Sequence, residues 1–180
     1  MALIVEDGTG LATAESYLSV ADFDTYWSLR TTDPVYTEAA LGTVNATQKE
    51  EALRVSTQEA DAENEIYWKG DKATSLQGLD WPRFNAFDNS GHAYDSSAIP
   101  VELEAYIAER SARYMANITT GLIPDLDSPA GDIVREKIKA GPVELDTSYS
   151  GGASAVKTFA KLDTLIQSLT IGGGGVVVRA

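Results

Sequence analysis

The chain has no cysteine, so disulfides, thiol nucleophiles and thiolate metal sites are excluded. It has one histidine, His92. Asp88 and Asp95 are its nearby acids, and a metal or acid–base group built from them can be imagined. The stretch reads instead as a hairpin turn, where polar residues are expected, and His92 as an exposed residue without a catalytic role. Cations are scarce: Lys and Arg number 14 against 27 Asp and Glu, a formal net charge of -13. That balance opposes non-specific nucleic-acid binding, in which Lys and Arg neutralise phosphates. An acidic wall repels DNA and does not grip it. No stretch approaches the roughly 18 apolar residues of a membrane span, so no membrane partner is expected. Residues 1–7 lack a basic flank and a long apolar run, and no signal peptide is expected. Asn45-Ala46-Thr47 and Asn117-Ile118-Thr119 are then chance matches to the glycosylation pattern. No glycine-rich loop is followed by Lys-Ser or Lys-Thr, and the glycines at 172–175 precede valines, not a helix. No serine sits in a nucleophile elbow. The expectation is a protein that is not an enzyme and carries no cofactor and no metal.

What is present is enough apolar residue, 43% of 180, for the core of one domain with arms. The chain is organised around Trp68-Lys69-Gly70 and Gln77-Gly78-Leu79-Asp80-Trp81-Pro82-Arg83, with two of the three tryptophans thirteen residues apart. Trp81 can fill a large part of a core. Pro82 fixes the backbone and biases Trp81 towards an extended conformation. This stretch is read as the crossing that locks two long helices together, with Trp68, Trp81, Pro82 and Arg83 as structural or subunit-contact residues. For Arg83 the plain role is a salt bridge to Asp80 or a helix acid, worth little if exposed; the sharper role is a contact between subunits.

Along the chain, residues 1–18 read as an N-terminal arm, 19–170 as a helical domain and 171–180 as a glycine-tethered tail. Ser19 is a good N-cap with Asp22 three residues on, followed by Val20, Phe23 and Trp27 at helical spacing. Residues 31–44 read as a loop. Thr47-Gln48-Lys49-Glu50 reads as a capping box opening a helix over 48–68. Ala52, Leu53, Ser56, Ala60 and Tyr67 share one side of it, with Glu63 inside the face and Glu59 at its edge. That face either packs within the chain or meets another subunit, where Glu63 would pair with a base on the neighbour. Asp88-Asn89-Ser90-Gly91 predicts a hairpin turn; a calcium loop is rejected, because position twelve would be Ile99. Pro100 opens a helix over 100–120, with Leu103, Ile107, Tyr114, Ile118 and Leu122 as its stripe and Arg110 and Arg113 near the flank. Gly121 is its C-terminal cap, and 123–131 is a loop. From Val143 an alternating run predicts a strand. A last short helix carries Phe159, Leu162, Leu165, Ile166 and Leu169. Val176, Val177, Val178 and Arg179 read as a docking strand that adds to another protein's sheet edge, or else as a tail that folds back or frays. The fold class is mainly α: about four helices with a β-hairpin or short strands and extended ends.

The order of motifs resembles a known group. Ser16-Tyr17-Leu18-Ser19-Val20-Ala21-Asp22, Glu51-Ala52-Leu53, Tyr67-Trp68-Lys69-Gly70, the Gln77 to Arg83 element, the turn at Asp88 to Gly91, Ile99-Pro100, Val134-Arg135-Glu136-Lys137-Ile138 and Gly141-Pro142-Val143-Glu144-Leu145 follow one another as in head–tail connector (adaptor, or head-completion) proteins of tailed bacteriophages. These are often labelled DnaT-like single-stranded-DNA-binding proteins. The resemblance implies a helical domain in a dodecameric ring under the portal protein, contacting tail or neck proteins. The C-terminal segment would reach the portal, and DNA would pass through the channel without specific binding. The protein would then reside in the virion neck, and in the host cytoplasm during assembly. The second reading is a single-stranded-DNA-binding protein of phage replication or packaging, with a basic patch from Arg83, Arg110, Arg113, Lys69 and Lys72. Against it stand the negative charge and aromatics set at helical core spacing, not in a basic groove.

Overall fold

A computed structural model describes residues 2–116, 136–140, 143–147 and 159–172. In chain order its elements are α1 (Val20–Ser28), α2 (Pro34–Glu38), α3 (Ala46–Asn64), β1 (Asp71–Lys72), β2 (Arg83–Phe84), α4 (Val101–Ala116), β3 (Glu136–Ala140), β4 (Val143–Thr147) and α5 (Ala160–Ile166). The small, mainly α domain expected from sequence is what is found. The chain divides into two units, one of Met1–Ile123 with Ala160–Val176, the other of Pro124–Phe159 with Val177–Ala180. Of the second, the described part is an antiparallel hairpin, β3 with β4, in which Lys137 lies opposite Asp146 and Ile138 opposite Leu145. Its second strand is the one predicted from Val143.

In the first unit the helix starts follow local capping chemistry. The Ser19 hydroxyl accepts from the Asp22 N–H at 3.1 Å and opens α1 as expected. The expected loop over 31–44 contains the unexpected α2, so the described residues hold five helices instead of about four. Asp33 caps α2 through the Val35 N–H at 2.9 Å, and Pro34 stands in its first turn, where a missing N–H costs nothing. α3 starts two residues before the predicted point. Its cap is Asn45, not Thr47: Asn45 Oδ1 accepts from the Gln48 N–H at 3.0 Å while Gln48 Oε1 accepts from the Asn45 N–H at 3.2 Å. It ends at Asn64, so Tyr67 and Trp68 lie beyond it.

α3 and α4 form the main helix pair. Ala52, Ser56 and Ala60 keep the face of α3 low, and the Ser111 hydroxyl of α4 donates to the Ala52 carbonyl at 3.4 Å. Arg110 and Arg113, expected on the flank, are each 1% exposed. Arg110 donates two parallel bonds to Glu63, at 2.8 and 2.9 Å, with further bonds to Glu59 at 2.9 Å and the Tyr106 hydroxyl at 3.0 Å. The base for Glu63 therefore stands on α4 of the same chain. Farther along, the buried Glu109 accepts from Tyr26 of α1 at 2.8 Å and pairs with Lys161 of α5 at 2.6 Å, and Lys161 also reaches Asp33 at 3.0 Å. Four helix segments are joined through one carboxylate and one ammonium group.

Residues 2–18, read as an arm, are held against this body. The Glu6 carboxylate accepts from the N–H groups of Gly8, Gly10 and Leu11 at 3.0, 2.8 and 2.8 Å. Gly8 has φ +95° and packs so closely that a Cβ there would lie 2.1 Å from the Ser97 carbonyl oxygen. Tyr17 is buried, and its hydroxyl donates to the Asp61 carboxylate at 2.7 Å while accepting from the N–H groups of Asp80 at 2.8 Å and Trp81 at 3.0 Å. The N-terminal segment, α3 and the Trp-Pro element meet at that oxygen.

Asp61 pays for its place at this junction. Its carboxyl group is turned inward, and burial raises it from 3.8 to about 7, against the hydrogen bond from Tyr17 and with the help of the Asp80 charge. Below about pH 4 both folded and unfolded chains hold this proton. Between about pH 4 and 7 the unfolded chain releases it and the folded chain does not, so stability falls as pH rises; above about 7 the loss is constant. Asp61→Asn keeps an acceptor for Tyr17 and removes the titration. In urea denaturation at a series of pH values, the difference in stability between this variant and the wild type is expected to shift in the variant's favour from about pH 4 to 7 and then level off.

Candidate functional site

The stretch from Tyr67 to Arg83 builds an irregular antiparallel layer. At the end of α3 the N–H groups of Tyr67 and Trp68 close onto the Asn64 carbonyl at 2.8 and 3.0 Å. Trp68 then bridges Thr170, with Lys69 N–H to Leu169 O at 3.0 Å and Ile171 N–H to Tyr67 O at 2.6 Å. β1 pairs with β2, Asp71 opposite Phe84 and Lys72 opposite Arg83. Phe87 bridges Ala93, and the Tyr94 N–H reaches the Ala86 carbonyl at 2.9 Å. Segments 169–171, 67–72, 83–87 and 92–94 thus lie side by side.

The inner side of the layer carries the residues singled out in the sequence. Trp68 meets Trp81 edge to face with ring centroids 6.0 Å apart, and Trp81 meets Tyr94 in the same way at 5.8 Å, the geometry aromatic quadrupoles favour. The Trp81–Pro82 peptide is cis. Gln77 folds the preceding loop around this point: its side chain donates to the carbonyls of Leu79 and Pro82 at 2.9 and 3.1 Å and accepts from the Thr74 N–H at 2.8 Å. Arg83 is 8% exposed. Its guanidinium donates to three backbone carbonyls, Lys69 at 2.8 Å, Gly70 at 2.6 Å and Asp80 at 3.1 Å. Among the described residues the salt bridge expected for it is not seen; it clamps backbone. Gly70 has φ +72°, and a Cβ there would lie 2.1 Å from the Phe84 carbonyl oxygen, so only glycine lets β1 and β2 close.

The exposed residues of these segments were not anticipated. Tyr67 is 44% exposed, and Phe84 and Phe87 are each 47% exposed, with Ile66 and Ile171 also in solvent. Tyr67 was expected on the inner face of α3; the helix ends too early for that. The available signal for Phe84 was its alternation with Arg83, since neighbours on a strand face opposite ways.

Cations are arranged differently from the expected basic patch. Arg83, Arg110 and Arg113 are buried, and Lys72 is tied to Asp80 at 2.7 Å. Lys49 pairs with Asp24 at 2.6 Å and Arg54 with Glu15 at 3.0 Å. The guanidinium of Arg30 lies 3.7 Å from the centre of the Tyr26 ring. Among the described ammonium groups, only Lys69 is hydrogen-bonded to neutral acceptors alone, Asn89 Oδ1 at 3.0 Å and the Ser168 carbonyl at 2.7 Å.

Other candidate places offer less. His92 is exposed at the predicted turn, its Nδ1 3.3 Å from the Asp88 carboxylate, which also accepts from the N–H groups of Ser90 and His92. Among the described residues no cluster of three acids or histidines could hold a metal. A groove of about 470 Å³ between α1 and α4 is lined by Tyr26, Leu29 and Val101, with Asp22, Glu104 and Arg30 as its charged residues. Burial, then the Asp22 charge, raise the Glu104 carboxyl. Val176, Val177, Val178 and Arg179 lie outside the described residues.

These features define a small, acidic, mainly helical protein with exposed aromatic rings on a strand layer. The model of the family described as "Putative DnaT-like ssDNA binding protein" matches residues 1–180, and the chain belongs to that family. No curated protein and no solved structure matches it. The family match corrects the expectation of a virion head–tail adaptor, since its description is that of the second reading. The portal, tail and neck partners, the dodecameric ring and the passive DNA channel fall with that expectation.

Replacing Arg83 by Lys keeps the charge but loses the planar fork that spans three carbonyls. Buried acceptors left without donors should lower stability by about 2 kcal/mol, read as a reduced urea midpoint.

Proposed function

We propose that the protein binds single-stranded DNA. The observation that carries this is the family match along residues 1–180. The arrangement of cations supports a particular form of it. With the described arginines buried, stacked on a ring or paired with carboxylates, little charge is left to neutralise a phosphate backbone. Binding driven by counterion release is therefore weak. Single strands also offer base faces, which a duplex keeps stacked away, and aromatic side chains take them up with little regard for sequence. The reading needs no catalysed reaction, cofactor or metal. No described helix is long and apolar enough to cross a membrane.

Fluorescence anisotropy of a labelled oligothymidylate of about 20 nucleotides tests this. Binding is expected at low salt, with much weaker binding of a duplex of equal length. Raising salt from about 50 to 200 mM should cost only a few-fold in affinity, against a loss of about a thousandfold or more for proteins making many phosphate contacts. Absence of binding at low salt would refute the reading.

A further inference from the structure

We infer that the strand runs along these neighbouring segments, its bases stacking on the exposed rings of Tyr67, Phe84 and Phe87 and one phosphate held by Lys69. This inference rests on the single-stranded-DNA reading above and assigns its site.

Three half-exposed rings in one layer are an unusual placement for side chains that bury readily elsewhere in this chain, as Phe23, Trp27 and Trp81 do. Ile66 and Ile171, in or beside the same segments, are exposed as well, and apolar side chains gathered in solvent mark interaction sites. The rings are also carried on fixed backbone. Phe84 follows the Arg83 clamp and pairs with Asp71, Phe87 is bridged to Ala93, and the Tyr67 carbonyl is bonded to the Ile171 N–H. Rings held in place before binding lose little freedom when a base stacks on them.

Charge selects the ligand and its orientation. An ammonium group has three N–H donors. Two of those of Lys69 go to Asn89 and Ser168, which leaves one for a phosphate oxygen with no carboxylate to displace. Asp71 and Asp88 belong to the same layer and repel phosphates, so the backbone passes close to protein at Lys69 and elsewhere stays out in solvent with its bases turned down. A duplex, whose phosphates face outwards, cannot adopt that posture.

The test is anisotropy titration of the oligothymidylate with wild type and with Tyr67→Ala, Phe84→Ala, Phe87→Ala and Lys69→Gln, the fold of each being checked by far-ultraviolet circular dichroism. Leu29→Ala and Val101→Ala, in the groove between α1 and α4, serve as controls. Each ring removed should weaken binding about tenfold. Lys69→Gln should flatten the salt dependence by about 0.7 in the slope of log affinity against log salt. The controls should match wild type. If wild type binds and the ring variants bind equally well, this site is wrong and the single-strand reading stands. If wild type does not bind, the reading beneath it has failed. Photocrosslinking of a bromodeoxyuridine oligonucleotide gives a readout without substitutions: adducts on Tyr67, Phe84 or Phe87 support the site, and adducts confined elsewhere overturn it.

Discussion

The Tyr17 hydroxyl is the point on which the rest of the first unit depends. It holds the Asp61 carboxylate and the consecutive N–H groups of Asp80 and Trp81. Without it the buried Trp81 N–H beside Pro82 would lose its partner and the Asp80 N–H would keep only Asp61 Oδ2 at 3.0 Å, a cost comparable to a lost hydrogen bond. Burial first, then the Asp61 charge, raise the phenol well above its ordinary value, so it remains a neutral donor. Its position fixes Trp81, Trp81 fixes Trp68 and Tyr94 by edge-to-face contact, and Arg83, two residues on, fixes the backbone at 69–70. The outer aromatics are the last link of that chain, placed by buried contacts in which they take no part.

The charge distribution works in the same direction. The described core adds nothing to the formal net charge of -13, because the buried Glu6, Asp80 and Glu109 are matched in number by Arg83, Arg110 and Arg113. Their guanidinium groups serve backbone carbonyls and carboxylates, where a planar fork with five donors fits best. Glu109, wholly buried, is tolerated because Lys161 and Tyr26 reach it; an unpaired carboxylate at that depth would be costly. With three described arginines inside and most other described cations paired with carboxylates, the described residues have little left with which to hold a polyanion by charge, and contact with base faces is the route that remains.

Much of the helical framework was legible in the sequence. Ser19, the small face of α3 and the stripe begun by Leu103 and Ile107 are local patterns, and local patterns survive in the fold. α2 was missed because five residues are too few to show a period. The Asn45 cap was misassigned to Thr47 because both residues cap well, and only the reciprocal bond to Gln48 separates them. Arg110 was placed on a flank because charge is ordinarily exposed; its burial depends on Glu59 and Glu63, about fifty residues earlier. For the candidate site, the weight of Trp81 was legible but the destination of Arg83 was not, since it donates to carbonyls brought near only by tertiary folding.

The same distinction explains why motif order pointed to the wrong role. The string from Gln77 to Arg83 is consumed by architecture: Gln77 wraps the loop, Trp81 fills the core and Arg83 clamps the backbone. A buried motif of this kind identifies a fold, and a fold can host unrelated functions. What distinguishes one role from another must lie on residues a ligand can reach. Here those are Tyr67, the first residue of the Tyr67 to Gly70 motif, and Phe84 and Phe87, just after the Gln77 to Arg83 element. They stand in or next to the recognisable residues because the clamp that makes the motif recognisable also fixes the backbone that carries them.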